Sequence, residues 1–176
     1  MSGPDPERSV ERITLGDLMH LGDLARVDQG HFFERRPEYR DRLLCTALCQ
    51  GAGLHYVHVS SGHPQPNGVK DFDVWTFFAR IPGLRFPDKR HTHADFGPSR
   101  FGRWDSELKR FSHFTGRRVD LFMRDLAVPV DADPVAALRS YLCVPRTTSA
   151  KHLAAKAVVM IVPAERLGEV VWPETN

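Results

Sequence analysis

Two aspartates spaced two residues apart inside a β-favouring run constrain the fold of this chain more than any other feature. The run reads KDFDVWTFF at positions 70–78, and its carboxylates belong to Asp71 and Asp73. Side chains alternate between the two faces of a strand, so Asp71 and Asp73 point to the same face. Phe72, Val74 and Thr76 point to the opposite face. Two adjacent negative charges at the start of a hydrophobic strand repel each other unless a cation offsets the repulsion.

A third carboxylate occurs in similar surroundings later in the chain. Asp120 lies within RVDLFM at positions 118–123, which also reads as a strand. If the two strands are neighbours, Asp71, Asp73 and Asp120 form a metal site suited to phosphoryl chemistry. Two competing explanations remain open. The first pair can bind turn amides at a strand end, and Asp120 can pair with an arginine among Arg117, Arg118 and Arg124.

The composition is that of an ordinary globular protein. Of the 176 residues, 41% are hydrophobic and 26% charged, which predicts one domain at 13–176 behind a flexible N-terminus at 1–12. The net charge of +2 is too small to argue for non-specific nucleic-acid binding. Three cysteines make no disulfide framework and fit a reducing compartment. Since no apolar run resembles a signal or a membrane span, we expect a cytoplasmic protein without membrane partners.

Hydrophobic spacing and turn residues predict an α/β fold of the α+β kind, with a small mixed β-sheet flanked by helices. The residues on either side of Gly51-Ala52-Gly53 are predicted as a helix before the turn and a strand after it. The predicted helices cover 15–28, 38–50, 105–114, 133–142 and a stretch ending near 156. The predicted strands cover 54–59, 69–79 and 117–125. The apolar run 158–162 is either a buried strand or the tail of the preceding helix, and 170–172 is an apolar tail.

A basic insert at about 80–116 separates the two acidic strands. Its excess of arginine and lysine either binds an anion such as a polyphosphate or forms a solvated loop. The insert also contains His91-Thr92-His93 followed by Asp95, and two imidazoles at this spacing can share one metal ion. Because the spacing fixes no further ligand, the sequence favours a surface pair over a zinc site.

The ordered set of turn, acidic pair and third aspartate resembles the nucleotidyltransferase superfamily, which has the DNA polymerase beta fold, and in particular its small bacterial members. Gly51-Ala52-Gly53 matches the family's glycine turn, Asp71-Phe72-Asp73 its paired carboxylates and Asp120 its third carboxylate. The match spans about 38–125. The turn departs from the family pattern because Ala52 stands where a serine or a second consecutive glycine is usual.

The resemblance implies a magnesium-dependent transferase that moves a nucleotide from a nucleoside triphosphate to an acceptor. Asp71, Asp73 and Asp120 would hold two Mg²⁺ ions, and Asp120 would also accept the proton of the nucleophile. The resemblance places the triphosphate at Gly51, Ala52 and Gly53, and a cation from Lys70, Arg80 or the segment 85–118 would neutralise its remaining charge. The acceptor stays open between a protein, a small molecule and an RNA end.

Two alternatives follow from the same residues. The missing hydroxyl at Ala52 favours a catalytically inactive nucleotide-binding module of the same fold. The basic insert favours a nucleic-acid-binding accessory protein, whose affinity would fall steeply with salt and ignore magnesium.

Overall fold

The computed structural model describes residues 7–87, 91–103 and 111–174. In chain order the elements are α1 (Leu15–Arg35), β1 (Leu43–Cys49), α2 (Gln50–Ser60), β2 (Phe72–Ala79), β3 (His91–Asp95), β4 (Arg118–Leu126), α3 (Pro134–Cys143), α4 (Thr148–Ala154), β5 (Ala157–Val162) and β6 (Val170–Trp172).

The described strands form one mixed sheet in the order β3-β4-β2-β1-β5-β6. Strands β2 and β4 pair in parallel, and the other neighbouring strands pair in antiparallel fashion. Helices pack on both faces of the sheet, so the predicted α/β class with a small mixed sheet is confirmed. Parallel pairing of β2 with β4 requires a crossover, which the segment 80–117 provides.

Each face of the sheet has its own core. Residues of β2 with even numbers, such as Phe72 and Val74, pack with Leu18 and Leu21 of α1. Residues with odd numbers, such as Trp75 and Phe77, share a cluster with apolar residues of α3 and α4. The acidic residue Asp73 belongs to this second face by the same alternation, so α3 and α4 lie on the side of the sheet that carries the candidate site.

Two predicted elements around the glycine turn are wrong. The segment predicted as helix 38–50 contains strand β1, and the segment predicted as strand 54–59 lies in helix α2. Strand β1 is central and buried on both faces, so its apolar residues follow one another without the alternation that distinguishes a strand from a helix. In α2 the β-branched and aromatic residues suggest a strand, but packing against β5 and β2 overrides that weak propensity.

The other predicted elements agree more closely with the structure. Thr14 caps α1 in a capping box with Asp17, although the helix continues well beyond 28 to Arg35. The strands predicted at 69–79 and 117–125 correspond to β2 and β4, and the run at 158–162 is the strand β5. The predicted loop 81–104 contains the additional strand β3. Most of the helix predicted at 105–114 lies outside the described residues.

The first described residues are hydrogen-bonded to the segments next to β2 and β4. Ser9 and Val69 exchange two backbone hydrogen bonds, and Glu7 O accepts a hydrogen bond from Arg117.

Of the helices in the described ranges, none combines the length and apolarity needed to cross a bilayer.

Candidate functional site

Three carboxylates meet where β2 begins beside β4. Asp73 and Asp120 are register partners in the parallel pair, and Asp71 precedes β2 by one residue on the same face. One oxygen from each of Asp71, Asp73 and Asp120 can be chosen so that all three lie within 4.8 Å of one another. The predicted convergence of three acids on adjacent strands is therefore confirmed. Oxygen ligands at this spacing can hold a divalent cation.

Arg118 already binds two of the three acids. Its Nη2 donates to Asp71 Oδ2 at 3.0 Å, and its Nε donates to Asp120 Oδ2 at 3.1 Å. The other candidate partners point elsewhere, since Arg117 donates to backbone carbonyls and Arg124 donates to Ser149 Oγ. Arg118 thus binds the Oδ2 atom of each of these two carboxylates.

Asp73 is the acid without a partner. Within the described part of the chain its carboxylate accepts no hydrogen bond and forms no ion pair. Burial raises the pKa of Asp73 to about 8, and the neighbouring charges of Asp71 and Asp120 add to the rise, while Arg118 and Lys156 oppose it. In the absence of a cation, the cluster relieves its repulsion by keeping a proton on Asp73.

A cavity of about 480 Å³ opens beside the acids. Its walls combine basic, polar and aromatic groups with Asp71 and Asp73: Arg8, Gln50, Gly51, Ala52, Lys70, Trp75, Phe122, Thr148, Ser149, His152 and Lys156. The ring of Trp75 stacks on Phe122 at 4.7 Å, and the buried Trp75 Nε1 has no hydrogen-bond partner among the described residues. A volume of this order is typical of small-molecule sites.

The first residues of α2 form one wall of this cavity. Gln50, the first residue of α2, has a left-handed backbone with φ 58°, and its Nε2 donates to His152 O. A Cβ added to Gly51 would lie 3.7 Å from Arg8 Nη1 and 3.9 Å from Lys156 Nζ. The N-terminus of α2 therefore lies between two cations, which is a favourable environment for an anion.

The predicted triphosphate residues do not all reach the cavity. Gly51, Ala52 and Lys70 line it, whereas Gly53 does not. A Cβ on Gly53 would come within 2.8 Å of Ala157 O, so the missing side chain lets α2 approach β5. The structure gives Gly53 a packing role beside the turn.

Two histidines of β3 face the same side of the sheet as the acids. His91 Nε2 lies 3.0 Å and His93 Nδ1 2.8 Å from Asp120 Oδ1. Burial lowers the pKa of His93, and the charge of Asp120 opposes this effect. Asp95, the acid that the sequence placed beside these histidines, instead accepts backbone hydrogen bonds from Gly97, Thr115 and Gly116.

Sequence reasoning missed Lys156, Arg8 and His152, which come from segments far from the acidic strands. No spacing rule connects them with the acids, because the sheet order and helix packing bring them together. For the histidines a signal did exist. His-x-His in a strand places both rings on one face, just as Asp-x-Asp does. The sequence did not show that β3 pairs with β4. Because of this pairing, the acid beside the two histidines is Asp120 and not Asp95.

The described arginines of the basic insert are mostly engaged within the protein. Arg80 pairs with Asp125, Arg100 with Asp17, and Arg103 donates to Ser112 O. Positions 88–90 and 104–110, which carry four of the insert's basic residues, lie outside the described residues. The described part of the insert therefore gives no support to a free cationic surface for nucleic acid.

Comparisons with protein-family models, with curated proteins and with solved structures found no match for this chain. Membership of the nucleotidyltransferase superfamily accordingly stays a prediction that rests on the residues and the site described above.

Proposed function

We propose that this protein is a metal-dependent nucleotidyltransferase that transfers a nucleotide from a nucleoside triphosphate to an acceptor still to be identified. The observation that carries the proposal is the convergence of Asp71, Asp73 and Asp120 on adjacent strands, at the rim of a cavity with basic walls. A cluster of carboxylates next to an anion-favouring helix terminus is the arrangement that a metal–polyphosphate complex requires.

The donor set fits magnesium. Mg²⁺ is a hard cation that prefers oxygen ligands and takes one or two carboxylates together with phosphate oxygens and water. Asp73 offers a carboxylate that forms no hydrogen bond or ion pair among the described residues, and Asp71 offers the oxygen that Arg118 does not hold. The remaining oxygen of Asp120 lies beside His91 and His93 and would be shared with them. Bound ions would stabilise the charge that develops on the entering and leaving oxygens during phosphoryl transfer.

The residues of the chain have separate tasks in this proposal. Lys156, Arg8 and Lys70 neutralise the phosphates, and the backbone amides at the start of α2 donate to phosphate oxygens. Trp75 and Phe122, whose rings stack on each other, give one wall of the cavity an apolar surface against which the base or the sugar can pack. Asp120 lies at the end of the carboxylate cluster nearest the histidines, where it can accept the proton of an acceptor hydroxyl.

The contact between Arg118 and two of the acids favours a second candidate, a nucleotide-binding module without transferase activity. A guanidinium that binds both Asp71 and Asp120 supplies part of the positive charge for which a metal ion would be needed. The absence of a hydroxyl at Ala52 also favours a module without transferase activity. In this version the triphosphate binds in the cavity, but no acceptor reacts with it.

The test is calorimetric titration of the protein with nucleoside triphosphates, with and without Mg²⁺, followed by turnover assays on candidate acceptors. The double variant Asp71→Asn with Asp73→Asn removes two charges from the cluster and should abolish Mg²⁺-dependent binding and transfer. Unchanged binding in this variant would refute the metal site. Binding by the wild type without a product from any acceptor would favour the inactive module.

A matched control keeps the change in charge but moves it away from the site. Asp23 and Asp131 are exposed residues on α1 and in the turn before α3. The double variant Asp23→Asn with Asp131→Asn should bind nucleotide as the wild type does, since neither side chain borders the cavity.

A further inference from the structure

The edge strand β3 brings two imidazoles to one carboxylate oxygen. In the antiparallel pair His93 is opposite Asp120 and His91 is opposite Phe122, so both rings project from the same face as Asp120. His91 Nε2 and His93 Nδ1 lie 3.0 and 2.8 Å from the same atom, Asp120 Oδ1. All three ligand atoms lie within 4.8 Å of one another.

We propose that His91, His93 and Asp120 bind a divalent transition-metal ion of the zinc, cobalt or iron class, beside the carboxylate cluster and sharing Asp120 with it. Imidazole nitrogen suits Zn²⁺, Fe²⁺ and Co²⁺, whereas Mg²⁺ prefers ligand sets made only of oxygen. The ion can bind at this site whether or not the protein transfers a nucleotide.

The separations of the ligand atoms are short enough for one ion to be shared. Two ligands at about 2.1 Å from one ion lie about 3.0 Å apart at 90° and about 3.4 Å apart at a tetrahedral angle. The observed 2.8 and 3.0 Å, each from a histidine nitrogen to Asp120 Oδ1, are also ordinary hydrogen-bond distances, so a small movement of the side chains would admit the ion. Two histidines and one carboxylate would leave further coordination positions for water or substrate oxygens.

The surroundings hold these ligands in place from both sides. Arg118 binds Asp120 Oδ2 and so turns Oδ1 toward the histidines. Phe122 stacks on His91 at 4.2 Å, and Phe111 meets His93 edge-on at 4.8 Å. On the other face of β3, Thr92 Oγ1 donates to Asp28 of α1. Contacts of this kind orient metal ligands and raise affinity.

A purely structural network of hydrogen bonds is the competing explanation. Each ring can donate one hydrogen to Asp120 Oδ1 and so attach β3 to β4. Such a network needs no ion, and its histidines would show no preference for a transition metal over magnesium. Metal binding therefore separates the two explanations.

The experiment is a titration of the metal-free full-length protein with Co²⁺, followed by its visible absorption, with Zn²⁺ titrations by calorimetry alongside. We expect one ion per chain, held in the presence of excess Mg²⁺. The double variant His91→Gln with His93→Gln should lose at least about 100-fold in Co²⁺ affinity. The control variant His31→Gln with His63→Gln, which removes two exposed histidines, should bind as the wild type does.

Two outcomes overturn the inference: a wild type that binds neither Co²⁺ nor Zn²⁺, and a His91/His93 variant with unchanged affinity. Should that variant fold poorly, paramagnetic broadening of histidine ring signals by Co²⁺ tests the wild type directly. Broadening that starts at His91 and His93 supports the site, and broadening that starts at His31 or His63 refutes it. Asp71→Asn with Asp73→Asn should retain Co²⁺ binding, so a failure of the nucleotide hypothesis leaves this result intact.

Discussion

The unpaired carboxylate of Asp73 should make the metal-free protein less stable than it would be with a neutral side chain. The pKa of this group rises from an ordinary 3.8 to about 8, because burial and two neighbouring acids disfavour its charge. The folded state thus keeps a proton that the unfolded chain loses near pH 4. Through linkage, the free energy of unfolding falls as the pH rises between these two values.

The size of the effect follows from the shift. Each pKa unit corresponds to about 1.36 kcal/mol, so at pH 7 the upper limit for this one group is about 4 kcal/mol. Water in the adjoining cavity screens part of this, and we expect Asp73→Asn to stabilise the metal-free protein at pH 7 by about 2 to 4 kcal/mol. The wild type should lose up to about 1.4 kcal/mol per pH unit more than the variant between pH 5 and pH 7.5.

Urea unfolding with a chelator present, at several pH values from 5 to 9, measures both quantities. The charged groups that face Asp73 and contribute to its shift are Asp71, Asp120, Arg118 and Lys156, and they are the same in both proteins. Excess Mg²⁺ should raise the stability of the wild type and leave the variant nearly unchanged, because only the wild type retains the full ligand set.

The neighbouring acid supplies the control. Asp71 accepts a hydrogen bond from Arg118, so Asp71→Asn should destabilise the protein by about 1 kcal/mol, opposite in sign to Asp73→Asn. If Asp73→Asn is no more stable than the wild type at pH 7, and both lose stability in parallel as the pH rises, Asp73 is already neutralised by a partner and the reasoning fails.

Two further outcomes concern residues of α2. Both Gln50→Gly and Gln50→Ala remove the bond to His152, but only glycine suits the left-handed backbone, so the glycine variant should be the more stable by about 1 kcal/mol in urea; equal stability would show that the turn relaxes. Burial lowers the pKa of His55 from 6.5, so the stability it contributes is present above that pH and is lost as the pH falls through it. Unfolding at pH 7 and pH 5 should show a shallower loss in His55→Gln than in the wild type, and identical slopes would contradict this.

Most of what the sequence could predict about the site came from the alternation of side chains between the two faces of a strand. It placed Asp71 and Asp73 on one face, and the same period applied to 117–125 placed Asp120 in a matching strand. Their convergence needed one further condition, that β2 and β4 be neighbours, and the structure meets it. The identity of the ion and of the nucleotide depends on chemistry beyond spacing, and both remain predictions.

The errors arose where local pattern and tertiary environment disagree. Leu43–Cys49 is apolar at nearly every position because β1 lies in the middle of the sheet, and such a run does not distinguish strand from helix. The following residues, Gln50–Ser60, carry strand-like side chains in a helix that packs across β5. Gly51-Ala52-Gly53 thus lies at the beginning of a helix and not at the end of one, and backbone amides in the first turn of a helix have no partner within the helix.

The parallel pairing of β2 with β4 has a consequence for how the protein folds. A long crossover separates the two strands along the chain. Closing a loop of that length costs conformational entropy before the contacts between the strands can form, which slows folding. Asp73 therefore meets Asp120 only when this crossover closes, and bringing the two acids together, which in the absence of a cation requires Asp73 to take up a proton, opposes that closure. A divalent ion present during refolding should then speed the docking of β4, which would make the rate of refolding a readout of the site in the absence of any substrate.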